Sequence, residues 1–231
     1  ALYGLKSSGA AFRSKLAGVL DDLGYRPSYA DPDVWLKAAT KPDGFKYYEM
    51  VLVYVDDVMA ISHVPGKTIE GISSVFKLKG DKASAPNMYL GISLELKVNS
   101  VGTKCWSVSP EKYVTASISN TEEKLAKEGQ QLPSKCTTPM TSDYHPSNDT
   151  TEELTSDGIK LYQEYIGVLR WAIEIGRLDI LLEVTLLSSH LALPCRGHLE
   201  QVYHIFGYLK HSPRRRLYMD PDYPDIAEDR F

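Results

Sequence analysis

Apolar residues fall into two periods along the first half of the chain. Phe12, Leu16, Val19, Leu20 and Leu23 recur at helical spacing and Gly24 follows them, which predicts a helix over about residues 8–23 with a left-handed cap behind it. Asp31-Pro32-Asp33 has turn chemistry, and Val34-Trp35-Leu36 then starts a strand. Lys41-Pro42-Asp43-Gly44 reads as a hairpin turn. Tyr47 to Tyr54 is rich in Val, Leu and Tyr, and Val58 to Ile61 resumes that character directly after two aspartates, so two strands are expected on either side of an acidic turn. Residues 67–76 carry Ile69, Ile72, Val75 and Phe76 at helical spacing, while Tyr89 to Val98 alternates as a strand should. A strand over Cys105 to Val108 leads into a helix with Pro110 at its first position and Ser109 as its cap.

The second half begins with a polar stretch, residues 129–155, that contains Pro133, Pro139 and Pro146 and little periodicity; it reads as a linker. Three helical patterns follow at residues 157–176, 179–193 and 198–210, punctuated by Gly176, by Pro194 with Gly197, and by Pro213. Asp179 is placed to cap the second of these helices, and the leucines of residues 181–193 form a stripe expected in the core. The pattern as a whole predicts a mixed α and β body followed by a small helical unit.

Composition narrows the class without naming a chemistry. At 231 residues, 43% hydrophobic and 24% charged, the chain can bury a core and falls outside the disordered range. Its net charge of −4 does not announce a nucleic-acid binder, so any grip on a polyanion must come from local basic groups. Cys105, Cys136 and Cys195 lie far apart with no metal-type spacing and read as reduced thiols. No segment reaches the roughly 18 to 20 uninterrupted apolar residues of a membrane span. The chain does not begin with Met, and a start inside a larger polypeptide is expected.

Asp56 and Asp57 are the first chemical signal. Adjacent carboxylates between apolar strands repel one another unless a cation neutralises them. A divalent metal such as Mg²⁺ does so, and in phosphoryl-transfer sites it is held by one or two carboxylates together with substrate phosphates. The plain alternative is a solvated turn, since aspartate favours turns. Apolar flanks on both sides suggest a buried hairpin that holds the carboxylates on rigid backbone.

Tyr54-Val55-Asp56-Asp57 between apolar strands resembles the polymerase motif of reverse transcriptases, and the rest of the chain resembles the copia-type LTR retrotransposon branch of that family. Leu2-Tyr3-Gly4-Leu5-Lys6-Ser7-Ser8-Gly9-Ala10-Ala11-Phe12 is similar to the family's L-Y-G-L-K-Q-S-P-R-A-W segment, with Ser7 in place of Gln and Gly9-Ala10 in place of Pro-Arg. Gly24-Tyr25 with Ser28, Asp31 and Pro32 matches a G-F-x-x-S-x-x-D-P run, and Tyr89-Leu90-Gly91 resembles the turn that positions the primer. Tyr165-Ile166-Gly167, Leu169, Arg177-Leu178-Asp179-Ile180, His198 and Tyr208-Leu209-Lys210 follow in the family's order.

The resemblance implies an α+β fold: a partial polymerase palm with an antiparallel sheet and packed helices over residues 1–128, a linker over 129–155, a helical thumb or connection over 156–218, and a tail over 219–231 leading towards a ribonuclease H domain. It implies that Asp56 and Asp57 are catalytic and hold Mg²⁺ or Mn²⁺. Tyr54, Val55, Lys6, Tyr89, Leu90 and Gly91 would then lie near primer and nucleotide. Arg196, Lys210, Arg214, Arg215 and Arg216 would meet the nucleic-acid backbone, where cations give salt-dependent affinity without reading sequence; a solvated basic turn is the alternative for Arg214 to Arg216. The implied partners are an RNA or DNA template-primer, deoxynucleoside triphosphates and the remainder of a Pol polyprotein, within an intracellular, cytoplasmic particle. The family's third aspartate belongs upstream of residue 1, so this stretch alone is expected to be inactive or nearly so. Three further readings compete: a catalytically dead remnant that still binds nucleic acid, another phosphoryl-transfer enzyme, and a purely structural interaction protein.

Overall fold

The computed structural model describes residues 7–78 and 84–219, and Lys6 therefore lies outside the described residues. The chain divides between Leu90 and Gly91 into two compact units. Among the described residues it is an α+β protein of six α-helices and two antiparallel sheets.

In the first unit, helix α1 (Ser8–Asp22) buries Leu16 and Leu20. It stops where predicted, because Gly24 adopts φ +87° and lets the Tyr25 N–H reach back to the Leu20 carbonyl at 2.9 Å. Strands β1 (Arg26–Pro27), β2 (Val34–Thr40), β3 (Lys46–Tyr54) and β4 (Asp57–Ile61) then pair in sequence order. The register sets Trp35 opposite Val51 and Val51 opposite Ala60. Because strand side chains alternate, Trp35, Val51 and Val53 face inward and cluster with Leu16, Leu20, Tyr25 and Ile72. Tyr48, Met50 and Tyr54 face outward and are exposed. The acidic hairpin is thus covered on one face only, not buried as its apolar flanks suggest. Helix α2 (Pro65–Ser73) starts and ends earlier than its pattern implied. Gly71 lets it approach α1, since a Cβ there would lie 2.7 Å from a Leu23 methyl.

The strand expected over residues 89–98 is broken. β5 (Met88–Tyr89) ends at Leu90 and Gly91, both at positive φ (+50° and +79°), and β6 (Ile92–Val98) begins after them. In the second unit β6 pairs with β7 (Lys104–Ser109), and β7 pairs with β8 (Leu217–Met219), a strand the sequence pattern did not predict. Helices α3 (Glu111–Lys127), α4 (Ser156–Glu174), α5 (Leu181–Ser188) and α6 (Arg196–His211) complete the unit. Val114, Ile118, Tyr162, Tyr165, Ile166, Leu169, Val202, Ile205 and Phe206 form the centre of its core.

Four expectations change here. Pro110 itself is the N-cap of α3, and the Ser109 hydroxyl only meets the Glu111 N–H at 3.4 Å, because the chain leaves β7 one residue later than the pattern implied. Residues 129–155 are not a free linker: Leu132, Cys136 and Pro146 are buried. A Cβ on Gly207 of α6 would lie 2.6 Å from the Pro133 carbonyl oxygen and 2.7 Å from the Cys136 sulfur, so the segment is strapped against that helix. The leucine stripe is half core: Val184 and Leu187 are buried, while Leu181, Leu182 and Leu193 are exposed. Asp179 lies in a 3-10 turn (Leu178–Ile180) and caps no helix; its carboxylate faces Arg177.

Candidate active site

Tyr54 and Asp57 close the hairpin as a pair, which leaves Val55 and Asp56 as its two central residues. Two-residue hairpin turns favour positive φ, normally supplied by glycine or asparagine. Here Val55 holds φ +55°. For a β-branched residue that conformation is an outlier, with a cost of roughly 1–3 kcal/mol that persists only where the surroundings enforce it. They do so through the sheet: the Val53 N–H donates to the Asp33 carbonyl at 2.9 Å, and β3 and β4 stay in register up to the turn. Tyr54, Val55, Asp56 and Asp57 are all exposed, and Val55 reaches 74%.

Tyr89 belongs to the same surroundings. Burial raises its phenol above the usual tyrosine range, and the negative charge of Asp57 raises it further. The turn and the Tyr89-Leu90 corner therefore lie within electrostatic reach of one another, and each contains a non-glycine residue at positive φ. Strain of this kind clusters at functional sites, where it fixes groups that would otherwise relax.

Among the described residues no third His, Cys, Asp or Glu joins Asp56 and Asp57 in an arrangement that could hold a metal ion. The donor chemistry nevertheless fits part of a Mg²⁺ or Mn²⁺ site. Two exposed carboxylates on a rigid turn leave coordination positions open, and Mg²⁺ is commonly held by one or two carboxylates plus water and phosphate oxygens.

The basic residues expected to meet phosphates are brought to the surface, but each has an acidic neighbour. Arg196 pairs with Glu152 at 2.8 Å and Glu200 at 3.2 Å, and Lys210 pairs with Glu122. Arg214 meets Glu111 at 3.0 Å, Arg215 meets Asp179 at 3.4 Å, and Arg216 meets Glu95 at 3.2 Å. Exposed pairs of this type contribute about 0–1 kcal/mol, so a phosphate can compete for the cation. The local field is nonetheless far less positive than the run Arg214-Arg215-Arg216 suggests by itself.

Two polar centres in the second unit escaped sequence reasoning. Arg177 has 0% of its side chain exposed and grips Asp179 in a two-pronged pair, Nε to Oδ1 at 2.8 Å and Nη2 to Oδ2 at 2.9 Å. The Tyr208 hydroxyl donates to the same carboxylate at 2.9 Å. Burial works against the ionised form of Asp179, yet Arg177, Tyr208 and Arg215 outweigh it and hold the carboxyl below its usual range. The matched residues Arg177, Asp179 and Tyr208 thus form one structural lock. The second centre is Asp149, which accepts from the Tyr144 hydroxyl, the Thr151 N–H and the Thr151 hydroxyl. A Cβ on Gly197 would land inside that carboxylate. Beside it, His198 Nδ1 accepts from the Cys195 N–H at 2.8 Å, so Nε2 carries the proton donated to the Pro146 carbonyl at 2.9 Å. His198 is therefore a neutral tie between the polar segment and α6, not a phosphate ligand. Only the glycine at 197, beside a histidine, hinted at this in the sequence.

No helix among the described residues is long and apolar enough to cross a membrane. No protein-family model matches the chain, and no solved structure matches it. Three curated proteins do. The retrovirus-related Pol polyprotein from transposon TNT 1-94 of Nicotiana tabacum is 27% identical over 219 residues, which is 90% of this chain and 15% of that protein. The retrovirus-related Pol polyprotein from transposon RE1 of Arabidopsis thaliana is 25% identical over 95% of this chain and 14% of its own length. The putative transposon Ty5-1 protein of Saccharomyces cerevisiae is 25% identical over 90% of this chain and 62% of its own length. The chain thus spans only about one-seventh of the two plant relatives. Alignment along nine-tenths of the chain to three transposon proteins, two of them retrovirus-related Pol polyproteins, supports a retrotransposon Pol fragment.

Proposed function

We propose that this stretch is the palm and thumb portion of a reverse transcriptase, an RNA-directed DNA polymerase, with Asp56 and Asp57 as the part of its metal site that this chain contributes. The observation that carries the reading is the Tyr54-Val55-Asp56-Asp57 turn. It presents two exposed carboxylates on a register-locked hairpin and holds Val55 in a conformation that valine avoids. A solvated turn has no need of that strain. In this reading Asp56 binds the metal, Asp57 assists it, and Tyr54 and Val55 lie by the primer end. Tyr89, Leu90 and Gly91 position the primer, and Lys6 approaches the nucleotide. The reaction is attack of a primer 3′ hydroxyl on the α-phosphate of a deoxynucleotide, with pyrophosphate leaving. Bound Mg²⁺ or Mn²⁺ supplies charge stabilisation. Arg196, Lys210 and Arg214 to Arg216 serve as exchangeable phosphate contacts from residues 156–218.

Two carboxylates hold metal weakly, so the chain by itself makes little or no DNA. The test is primer extension at millimolar Mg²⁺ by this chain and by a longer Pol polypeptide that includes the preceding sequence. Extension by the longer protein, abolished by Asp56→Asn with the fold intact, supports the reading. A longer protein that binds template-primer without extending it supports instead the dead remnant. That second reading is favoured by the departures at Ser7, Gly9 and Ala10 and by the acid-paired basic groups. Robust synthesis by the short chain alone would overturn the two-carboxylate argument.

A further inference from the structure

A second polar site lies in the first unit, at the far end of the sheet from the acidic turn. A cleft of about 410 Å³ opens between β2, the start of β3 and the N-terminal part of α2, with Lys37, Tyr47, Glu49, His63 and Lys67 among its lining groups and Tyr25 behind them. Four residues of β3 lie between Glu49 and Tyr54, a separation of about 17 Å along a strand, so this cleft is distinct from the hairpin tip.

Its charges are arranged unusually. Lys37 and Glu49 are direct cross-strand partners, a position where opposite charges ordinarily pair. They form no ion pair. Glu49 is instead engaged by three hydroxyls: Ser62 at 2.6 Å and Tyr47 at 3.2 Å on Oε1, and Tyr25 at 3.2 Å on Oε2. Burial opposes its ionisation, but these hydroxyls and Lys37 prevail and keep it a carboxylate. The Tyr25 hydroxyl is itself fixed by Thr68 of α2 at 2.8 Å. The Lys37 ammonium is left over the Tyr25 ring, 5.3 Å from its centroid. Lys67 on the opposite wall has no ion-pair partner among the described residues, unlike the basic residues of the second unit discussed above. The cleft therefore holds two ammonium groups not neutralised by carboxylates at contact distance, beside one pre-oriented carboxylate whose Oε2 can still accept.

We propose that this cleft binds a small phosphomonoester of a polyol, a sugar phosphate or the ribose phosphate of a nucleotide, with the phosphate between Lys37 and Lys67 and a ligand hydroxyl donating to Glu49. Two ammonium groups suit a dianionic phosphate, which they hold by charge-assisted hydrogen bonds. The carboxylate rejects a second anionic group and selects a hydroxyl donor, so the site discriminates a sugar phosphate from bare phosphate.

The experiment is an NMR titration of the intact chain with ribose 5-phosphate, inorganic phosphate, ribose and adenosine monophosphate. Saturable shifts with ribose 5-phosphate at millimolar concentration, centred on Tyr47, Glu49 and Lys67 and absent from the Asp56-Asp57 turn, are expected. Lys67→Ala, an exposed substitution that leaves the core intact, weakens binding at least about tenfold, the factor carried by one charge-assisted contact. Glu49→Gln weakens ribose 5-phosphate but not inorganic phosphate. Tighter binding of adenosine monophosphate than of ribose 5-phosphate assigns the nucleotide as the source, and equal binding assigns the free sugar phosphate. No saturable binding, inorganic phosphate or ribose binding as tightly as ribose 5-phosphate, or full affinity in Lys67→Ala would each overturn the proposal. None of these outcomes depends on polymerase activity.

Discussion

Two aspartate centres, one in each unit, show how differently the fold treats the same side chain. Asp179 is partly buried, gripped by a fully buried arginine and approached by Tyr208 and Arg215. Asp56 and Asp57 stand exposed at the tip of a hairpin covered on one face, and the charge of Asp57 adds to burial in raising the phenol of Tyr89. The first arrangement satisfies its charge internally and so is a lock. The second places two exposed carboxylates on a strained backbone, which suits a group that a metal ion can reach from solvent.

The largest effect that would test this contrast is at Asp179. Asp179→Ala leaves the Arg177 guanidinium buried without its partner and should destabilise the second unit by about 3–5 kcal/mol in urea denaturation, whereas Asp57→Ala should change stability by less than about 0.5 kcal/mol. Equal effects at the two positions would erase the distinction. The same lock responds to acid. The folded carboxyl of Asp179 is held below its unfolded value of about 3.9, so its contribution is complete above that pH and is lost as pH falls below about 4 and through the folded value. Stability measured from pH 6 downward should fall more steeply in the parent than in Asp179→Asn.

Gly197→Ala probes the Asp149 centre. The added methyl collides with the carboxylate, and a loss of about 1–3 kcal/mol is expected from forced repacking. A thermal melt within one degree of the parent would show that the segment carrying Asp149 can move aside. Val55→Gly tests strain in the opposite direction. Glycine accepts positive φ, so the substitution should stabilise the first unit by up to about 1 kcal/mol while loosening the turn. In the longer polypeptide it should lower primer extension despite the gain in stability. Unchanged extension would argue that the strain serves no function.

The smallest effects belong to the basic surface. Arg214→Ala should cost no more than about 1 kcal/mol of stability, since its pair with Glu111 is exposed. If Arg214 does exchange Glu111 for a phosphate, the slope of log affinity for nucleic acid against log salt should fall by about 1. An unchanged slope would leave Arg214 as a surface ion pair and nothing more.

Local pattern carried much of the first unit. The helix ending at Gly24, the Lys41 to Gly44 hairpin and the two strands around Asp56-Asp57 all follow from periodicity and turn chemistry, because each is decided by neighbours close in sequence. The short strand β8 was not legible, because three residues pair with β7 only when the fold brings them across more than a hundred positions. Nor was the packing of residues 129–155, whose polar composition hides Leu132, Cys136 and the Asp149 centre.

The candidate site divides along the same line. The order of residues by itself determined that two carboxylates occupy a turn between apolar strands, that basic groups gather near residue 214, and that the motifs run in an order resembling that of retrotransposon reverse transcriptases. Only the tertiary structure decided that Val55 is strained, that Tyr89 lies within reach of Asp57, that Arg196, Lys210, Arg214, Arg215 and Arg216 each have an acid beside them, and that Asp179 serves Arg177 instead of a helix end. The physical reason is range. Propensity and periodicity act over a few residues, whereas the charge, strain and burial that give an aspartate its role come from groups that the fold alone brings together.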